Sequence, residues 1–234
     1  MNNTTKVVGL EGSPRPRGNS KLLLGAFLDA ASEAGAAVRK TRAADLFITP
    51  CRGCLQCNAA GRCQAPDDDW RKLAADILAA DVLVFASPIY FRQFPAPLKL
   101  ILDRFRCFLH VDVTGSGLVH QPHHPWSKDI VLLLSQGSPD PEEARPLREQ
   151  ADFLAHCLGP GNRTHVRLGT RLVAEGQVVM EGEQLRRLYT RLGFPDAWVE
   201  ADLRDNRNLL DEVRELGRSL GRPRGNGKQA LQAL

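Results

Sequence analysis

Along most of the chain, short unbroken apolar runs alternate with longer stretches whose apolar positions recur every three to four residues. Lys6-Val7-Val8-Gly9-Leu10 is the first run, and it opens directly into a glycine-containing turn. Residues 19–35 follow with Leu22, Leu23, Ala26, Phe27, Ala30 and Ala31 at helical spacing and a glycine near the end, as a helix stop requires. Residues 37–46 make a weaker, more polar strand. Trp70, Leu73, Ala74, Ile77 and Leu78 give residues 68–80 an apolar helical stripe. Residues 81–86 form the clearest buried strand. Residues 95–110 read as a helix entered through prolines, 129–135 as another buried strand and 141–158 as a helix. A fifth strand over 164–173 and a last helix over 206–220 complete the series.

Strands that are continuously apolar must be buried on both faces. The pattern therefore predicts an α/β fold, a five-stranded parallel sheet with helices on both faces. Two segments stand outside it. Residues 111–128 are rich in Gly, His and Pro and read as a long loop. Residues 175–205, with Phe194 and Trp198, read as an irregular insertion; loops of such length serve as lids or interface arms. Residues 1–221 then make one domain, and 222–234 a flexible tail.

Composition narrows the class. The 234 residues are 43% hydrophobic and 25% charged, enough for one buried core without disulfides or structural metal. The net charge of +4 comes from arginines spread along the chain, which favours small anions and not nucleic acid. The polar start Met1-Asn2-Asn3-Thr4-Thr5 lacks a signal-peptide pattern, and the longest apolar run is too short to span a bilayer. A cytoplasmic protein with no membrane partner is expected. Its six cysteines are then not a disulfide framework.

The turn after the first strand carries the first candidate chemistry. Gly12-Ser13-Pro14-Arg15-Pro16-Arg17-Gly18-Asn19-Ser20 combines two glycines, hydroxyl and amide donors, and two arginines immediately before a helix. Free backbone N–H groups at a helix start, joined by guanidinium groups, suit a phosphate. The Lys-Ser/Thr of a nucleoside-triphosphate loop and the glycine spacing of a dinucleotide fingerprint are both missing. A polar turn with an N-capping serine and solvated arginines would have a similar composition.

A second concentration is Cys51-x-x-Cys54-x-x-Cys57-x5-Cys63. Repeated two-residue gaps allow one tight loop to present thiolates around a compact centre, as [4Fe–4S] sites do. Zinc, which more often takes two separated pairs, and a metal-free thiol loop are the alternatives. Arg52 and Arg62 offset thiolate charge, and Gly53 and Gly61 ease the turns. Cys107 and Cys157 fall in helical patterns as small buried residues. His120, His123 and His124 read as solvated loop histidines, with a metal site as the alternative.

Gly-Ser-Pro-Arg followed by Gly-Asn-Ser resembles the phosphate loop of the NAD(P)H-dependent FMN reductases, which have the flavodoxin-like fold. That resemblance implies FMN as cofactor, with Ser13, Arg15, Asn19 and Ser20 at its phosphate and Arg17 beside them. Glu11 departs from the small or apolar residue expected there and is expected to point away. Ser87-Pro88-Ile89-Tyr90 and the following Lys99, Asp103 and Arg104 are similar to the family's second loop and helix. Pro88, Ile89, Tyr90 and Phe91 would then support the flavin ring, and Ser135, Gln136 and Gly137 would form a third contact. Read alone, Tyr90 and Phe91 could as well cap the core. Pro95-Ala96-Pro97 departs from the small, flexible residues that the family has before that helix.

Residues 49–70 resemble the cysteine motif of the iron–sulfur flavoproteins, a branch of the same family in which a cluster passes electrons to FMN. The resemblance implies an FMN-dependent oxidoreductase with a ferredoxin-like donor or small redox acceptor, working as a homodimer or homotetramer. Without a cluster it implies a NAD(P)H-dependent reductase of quinones, azo compounds, metals or free flavin. A non-enzymatic redox or iron sensor is the reading of another class.

Overall fold

The apolar runs become strands in the computed structural model, which describes residues 4–65 and 67–223. The strands are β1 (Lys6–Glu11), β2 (Ala37–Arg42), β3 (Val82–Pro88), β4 (Leu109–Thr114), β5 (Gly117–Pro122), β6 (Asp129–Ser135) and β7 (Arg163–Gly169). The helices are α1 (Asn19–Glu33), α2 (Gln56–Ala60), α3 (Trp70–Ala79), α4 (Ala96–Arg104), α5 (Arg145–Leu158), α6 (Gly182–Leu192) and α7 (Trp198–Gly221).

Five strands pair in the order β2-β1-β3-β6-β7, every pair parallel, and β4-β5 form a separate antiparallel hairpin. Setting the hairpin aside, this is the 2-1-3-4-5 order of the flavodoxin-like fold. β6 is buried along its whole length and β3 along all but its last residue, while edge strand β2 carries Arg39, Lys40 and Arg42. Central strands need apolar side chains in both directions; an edge strand does not.

Leu23, Leu24 and Phe27 of α1 and Leu210 and Val213 of α7 cover Val7, Val82, Val84, Val131 and Leu133. Leu73 and Ile77 of α3, Leu98 and Ile101 of α4 and Leu147 of α5 cover Leu10, Leu83, Phe85, Leu132 and Leu134 on the other face. Each fully buried Leu or Phe contributes about 1.5–3 kcal/mol of transfer free energy. The two helices on the first face approach at Gly217 and Gly221. A Cβ at Gly217 would lie 2.4 Å from the Phe27 carbonyl oxygen, and one at Gly221 2.6 Å from that of Ala31.

Four expectations are corrected. The helix expected over 95–110 ends at Arg104, passes through a 3₁₀ turn at Phe105–Phe108, and gives way to β4 at Leu109. Residues 111–128 are not one long loop, because β4 and β5 pair across the two-residue connection Gly115-Ser116. Residues 175–205 are largely helical: α6 has a reciprocal Glu181/Gln184 capping box and ends at Gly193, and α7 begins at Trp198. The polar strand stops at Arg42, where Ala43–Asp45 turn into a 3₁₀ helix. The flexible tail expected over 222–234 lies, from residue 224 onward, outside the described residues. No helix among the described residues is long and apolar enough to cross a membrane.

Candidate functional site

In a parallel sheet of this order the winding reverses between β1 and β3, and a crevice opens beyond their carboxyl ends. The three loops singled out in the sequence follow β1, β3 and β6, which are neighbours in the sheet. At 4.7–4.9 Å per strand, the first and third loops are separated by about 10 Å.

The first loop is built around close approach. Gly12 N–H donates to the Ala86 carbonyl at 2.8 Å, and a Cβ at Gly12 would meet Leu98 Cδ2 at 2.8 Å and Ser87 Oγ at 3.2 Å. At Gly18 a Cβ would lie 2.1 Å from Ser13 Oγ, itself the acceptor of the Arg15 N–H at 3.2 Å. Ser13 and Ser20 are buried, and Ser20 Oγ has no hydrogen-bond partner among the described residues. α1 starts directly behind them with no acidic residue in its first turn and no side-chain cap. An orphaned hydroxyl beside free helical N–H groups fits an anion. Arg15 and Arg17 are exposed, and Arg15 Nη1 donates to the Val173 carbonyl at 3.1 Å.

Asn19 sits differently from the other four. Its Nδ2 donates to the Ala174 carbonyl at 2.8 Å and its Oδ1 accepts the Val178 N–H at 3.0 Å. Gly176 N–H donates to the Arg17 carbonyl at 2.9 Å. The phosphate loop is thereby strapped to residues 173–178. Buried Gln177 shapes that strap, with Oε1 accepting from the Val173 and Ala174 N–H groups and Nε2 donating to the Arg171 carbonyl. Glu11 is buried and faces Lys40 at 3.0 Å, with Arg42 at 3.8 Å and Lys21 at 3.9 Å, so three cations compensate it.

The second and third loops share an open cleft of about 460 Å³ lined by Ile89, Phe91, Arg92, Gln136, Gly137, Ser138 and Glu143. Pro88, the last residue of β3, stands opposite Ser135 of β6, and the Ile89 N–H donates to the Ser135 carbonyl at 2.9 Å. Tyr90 bridges to Gln93, which turns Phe91 and Arg92 into left-handed backbone at φ +50° and +62°. Phe91 is fully exposed and Tyr90 is 40% exposed, so neither caps the core. Gln136 donates from Nε2 to the Ser138 and Asp140 carbonyls, while its buried Oε1 has no partner among the described residues. An apolar ring beside an unpartnered acceptor fits a flat heterocycle with an N–H edge.

The cysteine segment is closed at its neck by a buried ion pair. Arg104 and Asp68 side chains are each 2% exposed and meet at 2.9 Å. Arg104 Nη1 also donates to the Thr49 carbonyl at 2.8 Å, and Asp68 accepts the Thr49 N–H, the Thr49 hydroxyl and the Trp70 N–H. Burial pushes the Asp68 carboxyl up, but the bonds from Thr49, Arg104 and Trp70 outweigh it and hold the group below its ordinary value. Between these ends, Gly53, Leu55 and Gly61 are left-handed and fold the chain around α2.

Cys51, Cys54, Cys57 and Cys63 line one cavity of about 190 Å³, together with Arg52, Arg104, Arg106 and Cys107. Cys51 and Cys54 are exposed, Cys63 is half-buried and Cys57 is buried. Among the described residues, no group of three or more His, Cys, Asp or Glu side chains gathers as ligands of a single ion. Four thiols on one cavity, with cations beside them, fit a cluster with separated corners and soft ligand preference. Burial raises the Cys57 thiol, Arg106 pulls it back down, and Cys63 and Cys51 raise it further. Burial pushes Cys107 up to about 11. His123 and His110 pack ring to ring at 6.2 Å, and His120 packs on Phe153, so the histidines are scattered.

The NADPH-dependent FMN reductase family matches residues 5–159, which include all three loops and the cysteine segment. The chain belongs to that family. An iron–sulfur flavoprotein of Methanocaldococcus jannaschii is 39% identical over 101 residues, 43% of this chain and 52% of that protein. An iron–sulfur flavoprotein of Methanosarcina thermophila is 33% identical over 99 residues, 42% and 51% of the two chains. This FMN reductase family member thus spans about half the length of those relatives. Among solved structures, an NAD(P)H:quinone oxidoreductase from Methanothermobacter marburgensis aligns with a TM-score of 0.63 at 18% identity, covering 93% of this chain and 100% of that one. An azoreductase from Bacillus anthracis aligns with a TM-score of 0.62 at 16% identity, covering 92% and 99%. At such identities the likeness is one of fold.

Three groups in this FMN reductase relative escape a loop-by-loop reading of the sequence. Gln177 and the strap behind the phosphate loop lie some 160 positions from it. Arg104 falls in the helix that is similar to the family's, but nothing local in the sequence signals that it clasps Thr49 and Asp68. Arg106, against Cys57, sits beyond the end of α4. The strap carried one signal, a Glu175-Gly176-Gln177 turn between the apolar pairs Val173-Ala174 and Val178-Val179.

Proposed function

We propose that the protein is an FMN-dependent oxidoreductase in which a [4Fe–4S] cluster, held by Cys51, Cys54, Cys57 and Cys63, exchanges electrons with the flavin. The observation that carries the flavin half is the buried, unpartnered Ser20 hydroxyl at an anion-ready helix start, strands away from a cleft with its own unpartnered Gln136 acceptor. FMN supplies hydride uptake and single-electron release, and the cluster supplies one-electron exchange. The chain's own residues supply binding and orientation. Gly12 and Gly18 let the backbone approach the phosphate, Ser13 and Ser20 donate to it, and Arg15 and Arg17 balance its charge. Ile89 and Phe91 support the ring, and Gln136, fixed by two carbonyls, aligns its polar edge. No protein acid or base is required, because the reacting atoms belong to the cofactor.

A ferredoxin-like donor or a small redox acceptor exchanging single electrons fits the cluster form. NAD(P)H oxidation with a quinone or azo acceptor fits a cluster-free form, favoured by the exposure of Cys51 and Cys54. We infer a cytoplasmic homodimer or homotetramer, in which Val113, Leu118 and Val119, exposed on the β4-β5 hairpin, would be covered. The test is anaerobic purification followed by an absorption spectrum and assays of flavin, iron and acid-labile sulfide. Flavin with about four irons and four sulfides per chain is expected. Failure to bind added FMN would overturn the reading; flavin without iron would leave only the NAD(P)H-dependent reductase.

A further inference from the structure

We propose that Arg106 sets the reduction potential of the cysteine-bound cluster by holding a fixed positive charge against the Cys57 ligand; this rests on the cluster reading above. Arg106 Nη1 lies 3.8 Å from Cys57 Sγ. The same nitrogen donates to the Leu109 carbonyl at 2.7 Å, and Nη2 donates to Asn58 Oδ1 at 2.7 Å. These anchors on two different segments pin the planar guanidinium, so it cannot swing into solvent as an exposed arginine does. Asn58 is itself held from both sides by β4, its Nδ2 donating to the Val111 carbonyl at 2.8 Å and its Oδ1 accepting the Val111 N–H at 3.2 Å. The hairpin thus acts as a strut for the arginine.

Charge balance in the cavity singles out Arg106. Arg104 also lines it, but its charge is cancelled by buried Asp68. Arg52 is exposed and therefore screened. No carboxylate pairs with Arg106 among the described residues, and Cys57, the thiol it touches, is the one buried cysteine of the four. Reduction adds one electron from an external donor to a centre already made anionic by thiolates, with no bond made or broken at the arginine. A nearby cation with an N–H aimed at sulfur stabilises the more negative, reduced form, and so raises the potential.

The experiment is an EPR-monitored redox titration of the reconstituted holoprotein with dithionite, run on wild type, Arg106→Gln, Arg106→Lys and Asn58→Ala. At a fixed solution potential, Arg106→Gln is expected to lower the reduced-to-oxidised ratio of the cluster at least tenfold, a midpoint shift of about 59 mV for one electron. Arg106→Lys, which keeps the charge without the fork, should shift less. Asn58→Ala, which removes the strut but not the charge, should shift in the same direction. The flavin couple, read by visible absorption in the same samples, should not move. An unmoved cluster midpoint in Arg106→Gln overturns the proposal, and if that variant loses its cluster, an unmoved midpoint in Asn58→Ala does so. Wild-type protein without iron and sulfide fails the cluster reading itself, a separate result obtained before any variant is made.

Discussion

Ser20 and Asp68 are both buried polar side chains, yet they predict opposite responses to removal. Ser20 Oγ has no partner among the described residues, so its desolvation is uncompensated and costs about 1–3 kcal/mol until a ligand accepts it. Ser20→Ala should therefore leave the flavin-free protein as stable as wild type or more so in urea denaturation. In the same variant, FMN affinity measured by fluorescence quenching should fall by about ten- to a hundredfold, the range of one hydrogen bond to a charged group. Lost stability with unchanged FMN affinity would make the residue structural. Asp68 is the reverse case, because every oxygen contact it makes is internal and its partner Arg104 is equally buried. Asp68→Asn leaves that guanidinium without its counter-charge and should cost about 3–5 kcal/mol. The pH dependence has a definite sign. A carboxylate held below its ordinary value contributes its full stability above the unfolded value of about 4 and loses it as pH falls through the lower folded value. Acid denaturation of the wild type should show this loss below about pH 4, and Asp68→Asn should not.

At the level of elements, the central layer was legible because its signals are local and redundant. Val7-Val8, Leu83-Val84-Phe85 and Ile130 through Leu134 are buried on both faces, and only a parallel interior accepts such runs. The hairpin was hidden by composition. Its Gly115-Ser116 turn lies between strand ends whose apolar members, Val113, Leu118 and Val119, stay exposed, and only Leu109 at the base of β4 is buried, so burial marks little of the hairpin. α6 was hidden differently: Leu185, Leu188 and Tyr189 have helical spacing, but they bury against Val199 and Leu203 in a small separate core rather than on the sheet. The strap through Asn19 and Gln177 was illegible for a third reason, since hydrogen bonds across about 160 positions leave no periodic trace. That strap predicts that Gln177→Ala weakens FMN binding without touching the ligand, by freeing residues 173–178 from the phosphate loop. The α1-α7 contact makes a complementary stability prediction. Gly217→Val places a side chain where 2.4 Å separates a Cβ from the Phe27 carbonyl oxygen, and overpacking of this kind costs about 1–3 kcal/mol. Its melting temperature should fall while FMN affinity per folded molecule is kept.

Across the whole molecule, departures from relaxed backbone are concentrated where chemistry is proposed. The non-glycine residues with left-handed backbone among those described are Leu55, Phe91, Arg92 and Arg171. Leu55 lies in the cysteine segment, Phe91 and Arg92 on the cleft, and Arg171 at the base of the strap, its N–H donating to the Ser138 carbonyl at 3.3 Å. Each such conformation costs about 1–3 kcal/mol and persists only where surrounding contacts over-determine it. The contacts divide into two sets. One joins the carboxyl ends of β1, β3, β6 and β7 through Gly12, Ile89, Gln136 and the strap; the other joins the Arg104–Asp68 clasp, α2 and the β4-β5 hairpin. No hydrogen bond or ion pair among the described residues links the phosphate loop directly to the thiol cavity. A ligand that binds only the folded state stabilises by RT ln(1 + [L]/Kd), about 2.7 kcal/mol at a hundredfold excess over Kd. That stabilisation should appear first in the segments touching the ligand. Hydrogen exchange should therefore separate the two sites. Adding FMN to the cluster-free protein should slow exchange in residues 12–20, 89–93 and 170–178 and leave 50–65 unchanged. Reconstituting iron and sulfide without flavin should slow 50–65 and the hairpin at 109–122 and leave 12–20 unchanged. Protection of both sets by either ligand alone would show that the two centres share one cooperative unit, and the division drawn from the contacts would be wrong.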